Sequence, residues 1–181
     1  GLDRQIGVWP KQAIPDALRD TLFGRPQSDC LMRDEEVGLR TYALLDAGKA
    51  PMVPEMLASS RLAWQSLFKG DAQDRLGSVA PYLAEVREDD GLLRRLFTDT
   101  GHRADLWRSN CTVFLRSRFD LADVARHLRK LYKVKDYASK EDIYLRFWAP
   151  ETLRTLAPLL VSSETQASRF CSNVIHSVTW R

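Results

Sequence analysis

Cysteine is scarce in this sequence, and the few cysteines are scattered. There are three, and they lie far apart in the chain: Cys30, Cys111 and Cys171. An odd and sparse set with no Cys-x-x-Cys pair argues against a disulfide framework and against a zinc site. Cys111 also lies in an apolar run, where a free thiol packs as a small hydrophobic group. We therefore expect three structural thiols in a reducing cytoplasm.

The sequence also lacks the short motifs of the common enzyme classes. It has no Gly-x-Ser-x-Gly elbow, which a serine hydrolase uses to expose its nucleophile. The spacings Gly-x-Gly-x-x-Gly and Gly-x-x-x-x-Gly-Lys, which let a backbone approach phosphate groups, are missing as well. None of the three histidines has a second histidine, cysteine or carboxylate at a metal-ligand spacing. The sequence thus predicts no catalytic residues, no cofactor and no metal, and a protein that is not an enzyme.

Long apolar runs are absent too. No stretch approaches the roughly 18 uninterrupted apolar residues that a membrane-spanning helix requires. The first residues do not show a basic segment followed by an apolar one, which is the pattern of a signal peptide. We expect a cytoplasmic protein without a membrane partner.

Positive charge is concentrated in one part of the chain. The 181 residues have a net charge of only +3. Residues 1–93 carry 11 basic and 15 acidic residues, residues 94–135 carry 11 and 4, and the remaining residues carry 5 of each. A basic segment therefore lies within a nearly neutral chain, whose apolar share of 44% is ordinary for a globular protein.

Strand and helix patterns alternate along the chain. Short apolar or alternating runs predict strands at residues 39–45, 62–68, 82–86, 111–117, 143–148 and 173–180. Helix signals predict helices at residues 15–23, 54–59, 90–100, 121–132 and 150–160. Alternation at this spacing predicts an α/β fold (mixed α+β), with a central mixed β-sheet, helices packed on it and a single lobe. The order of the strands cannot be derived from these patterns.

The helix that follows Asp120 has the clearest signals. The Asp120 side chain can cap the first turn, and Asp123 favours the positive end of the helix dipole. An apolar stripe spans an arc of roughly 120° at 100° per residue, and it comprises Leu121, Val124, Ala125, Leu128, Leu131 and Tyr132. The cations of this segment fall outside the stripe: Arg126, Arg129, Lys130 and Lys133. The pattern predicts one core face and one cationic face.

Two residues are single candidates for catalysis. Asp46 follows the first predicted strand, and ligands gather at strand ends in α/β sheets. Since no partner group is evident, a turn or capping carboxylate is the preferred interpretation. His127 lies between arginines on the helix after Asp120, without a paired nucleophile or acid. We interpret it as a solvated surface histidine.

The basic segment also suggests a nucleic-acid-binding domain. Cations at residues 94–135, interleaved with Phe97, Trp107, Phe114 and Phe119, fit neutralisation of a phosphate backbone and stacking of bases. Against this, the aromatic residues fall mostly at core-facing positions and no nucleic-acid reader module is recognisable. A solvated face or an acidic protein partner is the preferred interpretation, with nucleic acid unlikely as a partner.

A series of motifs in fixed order resembles one known family. The series is Tyr42-Ala-Leu-Leu-Asp46-Ala, Ser66-Leu-Phe-Lys-Gly70, Ala80-Pro-Tyr-Leu83, Phe114-Leu-Arg-Ser117, Leu128-Arg-Lys-Leu131, Arg146-Phe-Trp-Ala-Pro150 and Leu153-Arg-x-Leu156. It resembles the Tap/Tec-type adaptor chaperones of bacterial type VI secretion, whose shared domain was long classified only as one of unknown function. The resemblance covers residues 39–160.

The resemblance implies a non-enzymatic role. Members of the family bind a secreted toxic effector in the producing cell and help to load it onto the spike protein. The domain organisation that follows is an N-terminal arm at residues 1–38, an adaptor α/β domain at 39–160 and a C-terminal segment at 161–181, the last as the possible start of a truncated second lobe. The family brings no catalytic residues to this chain. An unrecognised α/β enzyme and a nucleic-acid-binding domain remain the alternatives.

The cationic residues are the candidate docking patch for these protein partners. The candidate protein-binding residues are Arg94, Arg95, Arg126, Arg129, Lys130 and Lys133. Complementary charge mainly sets the rate and the specificity of association. We expect this patch to steer an acidic segment of effector or spike, while a merely solvating face is the alternative.

Overall fold

The apolar run predicted at residues 39–45 forms the central strand of the fold. In the computed structural model, which describes residues 1–25, 38–102, 104–135 and 138–180, the strands are β1 (Arg40–Asp46), β2 (Trp64–Ser66), β3 (Pro81–Val86), β4 (Thr112–Ser117), β5 (Lys133–Lys135), β6 (Asp142–Tyr144) and β7 (Ser177–Trp180). The helices are α1 (Asp16–Phe23), α2 (Val53–Ala58), α3 (Asp71–Leu76), α4 (Gly91–Phe97), α5 (Leu121–Arg129), α6 (Pro150–Ser162) and α7 (Glu164–Cys171). A 3₁₀ turn at Gly77–Val79 leads into β3.

Five strands form one sheet in the order β2-β3-β1-β4-β7, and β5 and β6 form a separate two-stranded ribbon. Every ladder of the larger sheet is antiparallel. The predicted α/β fold with helices on a central sheet is confirmed, but the sheet is antiparallel rather than mixed. Strand direction depends on how the connections run in space, which the sequence pattern does not contain.

Both faces of the sheet are buried, because side chains alternate along each strand. On the first face, Ala43 and Leu45 of β1 pack under α1, α2 and α4. On the second face, Tyr42 and Leu44 pack under α5, α6 and α7. The molecule therefore has three layers, with a helical layer on each side of the sheet. Burial on both faces also explains why β1 is a continuous apolar run.

Helix α5 forms as its sequence predicts. The Asp120 side chain accepts a hydrogen bond from the backbone N–H of Asp123 at 2.8 Å, which satisfies one of the free amides of the first turn. Val124, Ala125 and Leu128 are buried against the second face. The helix ends at Arg129, and the chain turns directly into β5.

Three predicted strands are shorter in the structure. Residues 62–68 contribute only Trp64–Ser66, residues 143–148 contribute only the end of Asp142–Tyr144, and residues 173–180 contribute only Ser177–Trp180. Beyond Tyr144, backbone hydrogen bonds from Phe147 to Leu145 at 2.9 Å and from Ala149 to Arg146 at 3.0 Å close tight turns. The turns bring Phe147 and Trp148 into one buried cluster, although strict alternation would have placed them on opposite faces.

The segments that flank residues 39–160 contribute to the same layers. In the segment predicted as an N-terminal arm, Ile14 and Leu22 are buried in the core of the first face. In the segment predicted to follow residue 160, α7 packs on the second face and β7 pairs with β4. Within the described residues, no helix has the length and apolar character that a membrane span needs.

Candidate functional site

The six predicted docking residues do not form one patch. Arg94 and Arg95 lie on α4, which packs on the first face through Leu92 and Leu93. The other four lie on α5 or at the start of β5, on the side of the second face. The central sheet separates the two groups. The six residues are therefore closer in the sequence than they are in the folded protein.

Arg129 does not belong to an exposed patch, because it ties α5 to an edge of the sheet. Its Nε donates to the Leu67 carbonyl at 3.1 Å, and one terminal nitrogen donates to the Ser66 carbonyl at 2.9 Å and to Gln65 Oε1 at 3.1 Å. Burial lowers the pKa of this guanidinium. The side chain covers carbonyl groups at the β2 edge, which would otherwise be open to a foreign strand.

Arg126, Lys130 and Lys133 are exposed, as predicted. Arg126 lies in the last turn of α5, and Lys130, four residues on, caps the end of the helix with helical backbone angles, so the two side chains lie on the same side. The Arg126 guanidinium also contacts the Asp123 carboxylate. Lys133 begins β5, and its Nζ lies 5.9 Å from the centre of the Tyr144 ring, within cation–π range.

The ribbon beside these cations exposes apolar side chains that the sequence patterns did not single out. Val134 and Ile143 face each other across the ribbon and are 37% and 48% exposed, and Tyr144 is 58% exposed. We name the following set the α5–ribbon surface: Arg126, Lys130, Lys133, Val134, Lys135, Ile143 and Tyr144. The Lys-Val-Lys sequence of β5 could have predicted this exposure. A single apolar residue between two cations is typical of a strand that faces solvent.

A series of ring contacts braces the ribbon against the body. The Tyr144 ring stacks on the Tyr132 ring with centroids 5.9 Å apart, and Tyr132 meets the edge of Phe68 at 5.9 Å. Phe68 meets Trp148 at 6.1 Å, and Trp148 reaches the buried Phe147 at 5.5 Å. Such geometries contribute beyond the area they bury. The α5–ribbon surface therefore stands on a packed support.

His127 was predicted to be a solvated surface histidine, and this prediction is wrong. The residue is buried, and its Nε2 lies 2.6 Å from the Phe170 carbonyl of α7. Since a carbonyl oxygen only accepts, Nε2 carries the hydrogen. The sequence misled because arginines flank His127 in the chain, whereas the helical turn points it towards α7. His127 is thus a structural link between two helices.

Asp46 is fully buried and forms an ion pair with Arg146, at 2.6 Å. Its other oxygen accepts the backbone N–H of Gly48 at 3.0 Å, which confirms a turn carboxylate. Nearby, Lys49 Nζ donates to Glu151 at 2.6 Å, and this hydrogen bond lowers the pKa of Glu151. These two pairs clamp the end of β1 to the segment that begins α6. In this arrangement each carboxylate already has a cationic partner.

The aromatic residues of the basic segment lie mostly in the core. Phe97 and Phe114 are buried and stack on each other at 5.5 Å, and Trp107 packs against the first core with its ring 6.0 Å from Phe97. Phe119 is partly exposed. Bases need accessible rings for stacking. Phe97 and Phe114 are therefore not available for the role that the nucleic-acid alternative gave them.

The described cysteines are free thiols. Cys111 is buried and Cys171 is half-buried, and burial raises the pKa of both. Cys30 lies outside the described residues. In the described ranges, no group of three or more histidine, cysteine, aspartate or glutamate side chains could hold a metal ion.

The comparisons with known proteins identify one family. Residues 41–168 match the family model described as a domain of unknown function, DUF4123. This range is well over half of the chain and includes β1 from its second residue, the strands β2 to β6 and the ion-pair clamp. No curated protein and no solved structure matches the chain.

Proposed function

The chain belongs to the DUF4123 family, and on this premise we propose that it is a non-enzymatic adaptor chaperone of bacterial type VI secretion. In this proposal the protein binds a secreted toxic effector in the cytoplasm and helps to load it onto the spike protein. The ordered motifs that resemble the Tap/Tec-type adaptors run from Tyr42 to Leu156, inside the range that the family model matches.

The α5–ribbon surface is the observation that carries the proposal. It combines exposed apolar side chains, Val134, Ile143 and Tyr144, with a group of exposed cations. Exposed apolar groups rimmed by charge are typical of protein-interaction sites. The apolar part supplies affinity through burial, and the cations increase the rate of encounter with an acidic partner.

The support of this surface also favours binding. An interface that is already ordered loses less conformational entropy when the partner arrives. Here α5 is fixed to β2 by Arg129 and to α7 by His127, while the ribbon is braced through Tyr132. An adaptor needs such a prepared surface.

Recovery of partners from the native bacterial cytoplasm tests the proposal. An affinity-tagged full chain should recover an effector and a spike protein, identified by mass spectrometry. The double variant Arg126→Glu with Lys130→Glu should reduce the recovery of at least one of them by about tenfold, since like charges across an interface repel. A second variant, Ile143→Ser, should also reduce recovery, because it removes exposed apolar area without changing charge.

Arg75→Glu is the matched control, because Arg75 is an exposed cation in the last turn of α3. It should leave recovery unchanged. Circular dichroism and thermal unfolding should show that all variants keep the fold. Recovery of neither effector nor spike by the unchanged protein would overturn the adaptor function. Undiminished recovery by the folded variants would reject the α5–ribbon surface as the site.

A further inference from the structure

Two open grooves flank α4 on the opposite side of the molecule. One, of about 570 Å³, lies between α4 and the segment that joins α2 to β2. The other, of about 600 Å³, lies between α4 and the N-terminal residues. Gly91 and Arg95 line both grooves, so the two form one belt around α4. Clefts of this size accommodate ligands rather than single ions.

Six cationic side chains line this belt: Arg4, Lys11, Arg61, Arg87, Arg94 and Arg95. Within residues 1–25, 38–102, 104–135 and 138–180, none of these side chains makes an ion pair or a hydrogen bond to the protein. Within that part of the chain, no ion pair neutralises their charges. Two of them, Arg94 and Arg95, were predicted as docking residues from the sequence.

The acidic residues of the belt are already engaged. Asp3 Oδ1 accepts the Gln5 amide at 2.8 Å, and Asp90 Oδ2 accepts the Arg87 amide at 2.6 Å. Glu85 pairs with Arg40, 3.7 Å away and outside the lining of the two grooves.

Asp105 is engaged more fully than the others. It accepts hydrogen bonds from the amide and the hydroxyl of Thr100 at 2.7 and 2.6 Å. Burial alone would raise the pKa of Asp105, but these bonds and the nearby His102 lower it below its usual value. The described lining carries six cations against four carboxylates, of which Glu85 is paired with a cation outside the grooves, so the belt has a net positive charge.

We infer that the belt around α4 binds an extended acidic segment of a protein partner. The net positive charge of the lining favours an anionic ligand, and the spread of six cations over two adjoining grooves favours a ligand with several anionic groups. The first groove is also lined by the half-buried Met56 and Leu62, and the second by the exposed Ile6. An acidic peptide with intervening apolar side chains matches both features.

A single-stranded nucleic acid fits the belt less well. Non-specific binding of single strands combines a cationic groove with aromatic side chains on which bases stack. Among the described residues that line the two grooves there is no phenylalanine, tyrosine or tryptophan. The apolar groups present there are aliphatic, which suits peptide side chains better than base faces.

A labelled peptide tests the inference on the full chain. The probe is a fluorescein-labelled peptide that repeats Glu-Leu, and fluorescence anisotropy measures its affinity at low and high salt. We expect binding that weakens as salt rises, since the contacts are between charged groups. In the variant Arg61→Glu with Arg95→Glu, the first change lies in one groove and the second lies where the two grooves meet. This variant should lower the affinity at least about tenfold.

Three controls make the result specific. A Gln-Leu repeat of the same length should bind much more weakly. Arg75→Glu and the pair Arg75→Glu with Arg169→Glu carry the same kind of charge reversal at exposed cations outside both the belt and the α5–ribbon surface, and each should leave the affinity within about twofold. Thermal unfolding should show that every variant is folded.

Several results would overturn the inference. These are unchanged affinity in the folded Arg61 and Arg95 variant, an equal loss in the Arg75 and Arg169 variant, and tighter binding of single-stranded DNA that depends on the same belt residues. The inference rests on the proposed function only in taking the partner to be a protein. Because the assay contains neither effector nor spike, its outcome is independent of whether those partners are recovered.

Discussion

Three cations within little more than one turn of α5 have three different environments. Arg126 contacts the Asp123 carboxylate at the surface, Arg129 lies against β2 with its donors occupied, and Lys130 is exposed. Their formal charges are identical. Whether each can bind a partner depends on how many of its donors the fold already uses, and this number is highest for Arg129.

Tyr42 shows how burial of one polar group makes stability depend on pH. The residue is fully buried in the central strand, and its hydroxyl donates to the Phe119 carbonyl at 2.7 Å. Burial, with a smaller contribution from Glu85, raises the pKa of Tyr42 to about 12. The unfolded chain loses this proton near pH 10, whereas the folded protein keeps it until about pH 12. Stability from this group is therefore complete below pH 10 and declines as pH rises towards 12.

Tyr42→Phe should change this pH dependence in a specific way. At pH 7 the variant should be less stable by about 1 kcal/mol, because the Phe119 carbonyl loses its donor. Above pH 10 the advantage of the unchanged protein should shrink by up to about 1.4 kcal/mol per pH unit, and the two stabilities should become equal near about pH 11. Urea unfolding at several pH values measures the difference. A difference that stays constant from pH 7 to pH 12 would contradict the assignment.

At the scale of elements, the attachment of α5 to the sheet depends on Arg129. Arg129→Met keeps the apolar stem but removes the donors to Leu67, Ser66 and Gln65. We expect a loss of about 2 kcal/mol in the free energy of unfolding, the range for hydrogen bonds to a charged group. Urea unfolding provides the measurement.

Lys130→Met is the matched control for that change, because it removes a neighbouring charge that is exposed. Its effect should stay within about 0.5 kcal/mol, as for most surface substitutions. The opposite result, in which Arg129→Met leaves stability unchanged but reduces the recovery of partners, would place Arg129 in the docking site.

Helix α5 could be predicted from the sequence, whereas the ribbon could not. The cap, the apolar stripe and the end of α5 depend on residues within about four positions of each other. The path after Tyr144 depends instead on tight turns and on packing of Phe147 and Trp148 against α6 and α7. Alternation at residues 143–148 therefore resembled a buried strand, although Ile143 faces solvent and Trp148 lies in the core.

At the scale of the whole molecule, the layered architecture decides which charges act together. The two helices of the basic segment, α4 and α5, are joined through β4, a strand of the sheet, and pack on its opposite faces. The sequence gives the positions of the cations, but it does not show on which face of the sheet each helix packs. That face depends on how the chain connects strands that are distant in the sequence. The predicted single patch is consequently two surfaces, the α5–ribbon surface and the belt around α4.

An adaptor that holds an effector and a spike protein needs two surfaces that both can occupy at once. The sheet separates the two surfaces of this protein, and sites without shared neighbours act nearly independently. We therefore expect each pair of charge reversals, at Arg126 and Lys130 or at Arg61 and Arg95, to reduce the recovery of a different partner. The combined variant should lose both.

Quantitative mass spectrometry of the recovered partners measures this independence. Each pair of reversals should leave the second partner within about twofold of its normal recovery, because the free energies of distant changes add within about 0.5 kcal/mol. Loss of the same partner from both folded variants would mean that one ligand spans both surfaces. In that case the partner that is still recovered would have to bind outside both surfaces, and the assignment of one surface to each partner would be wrong.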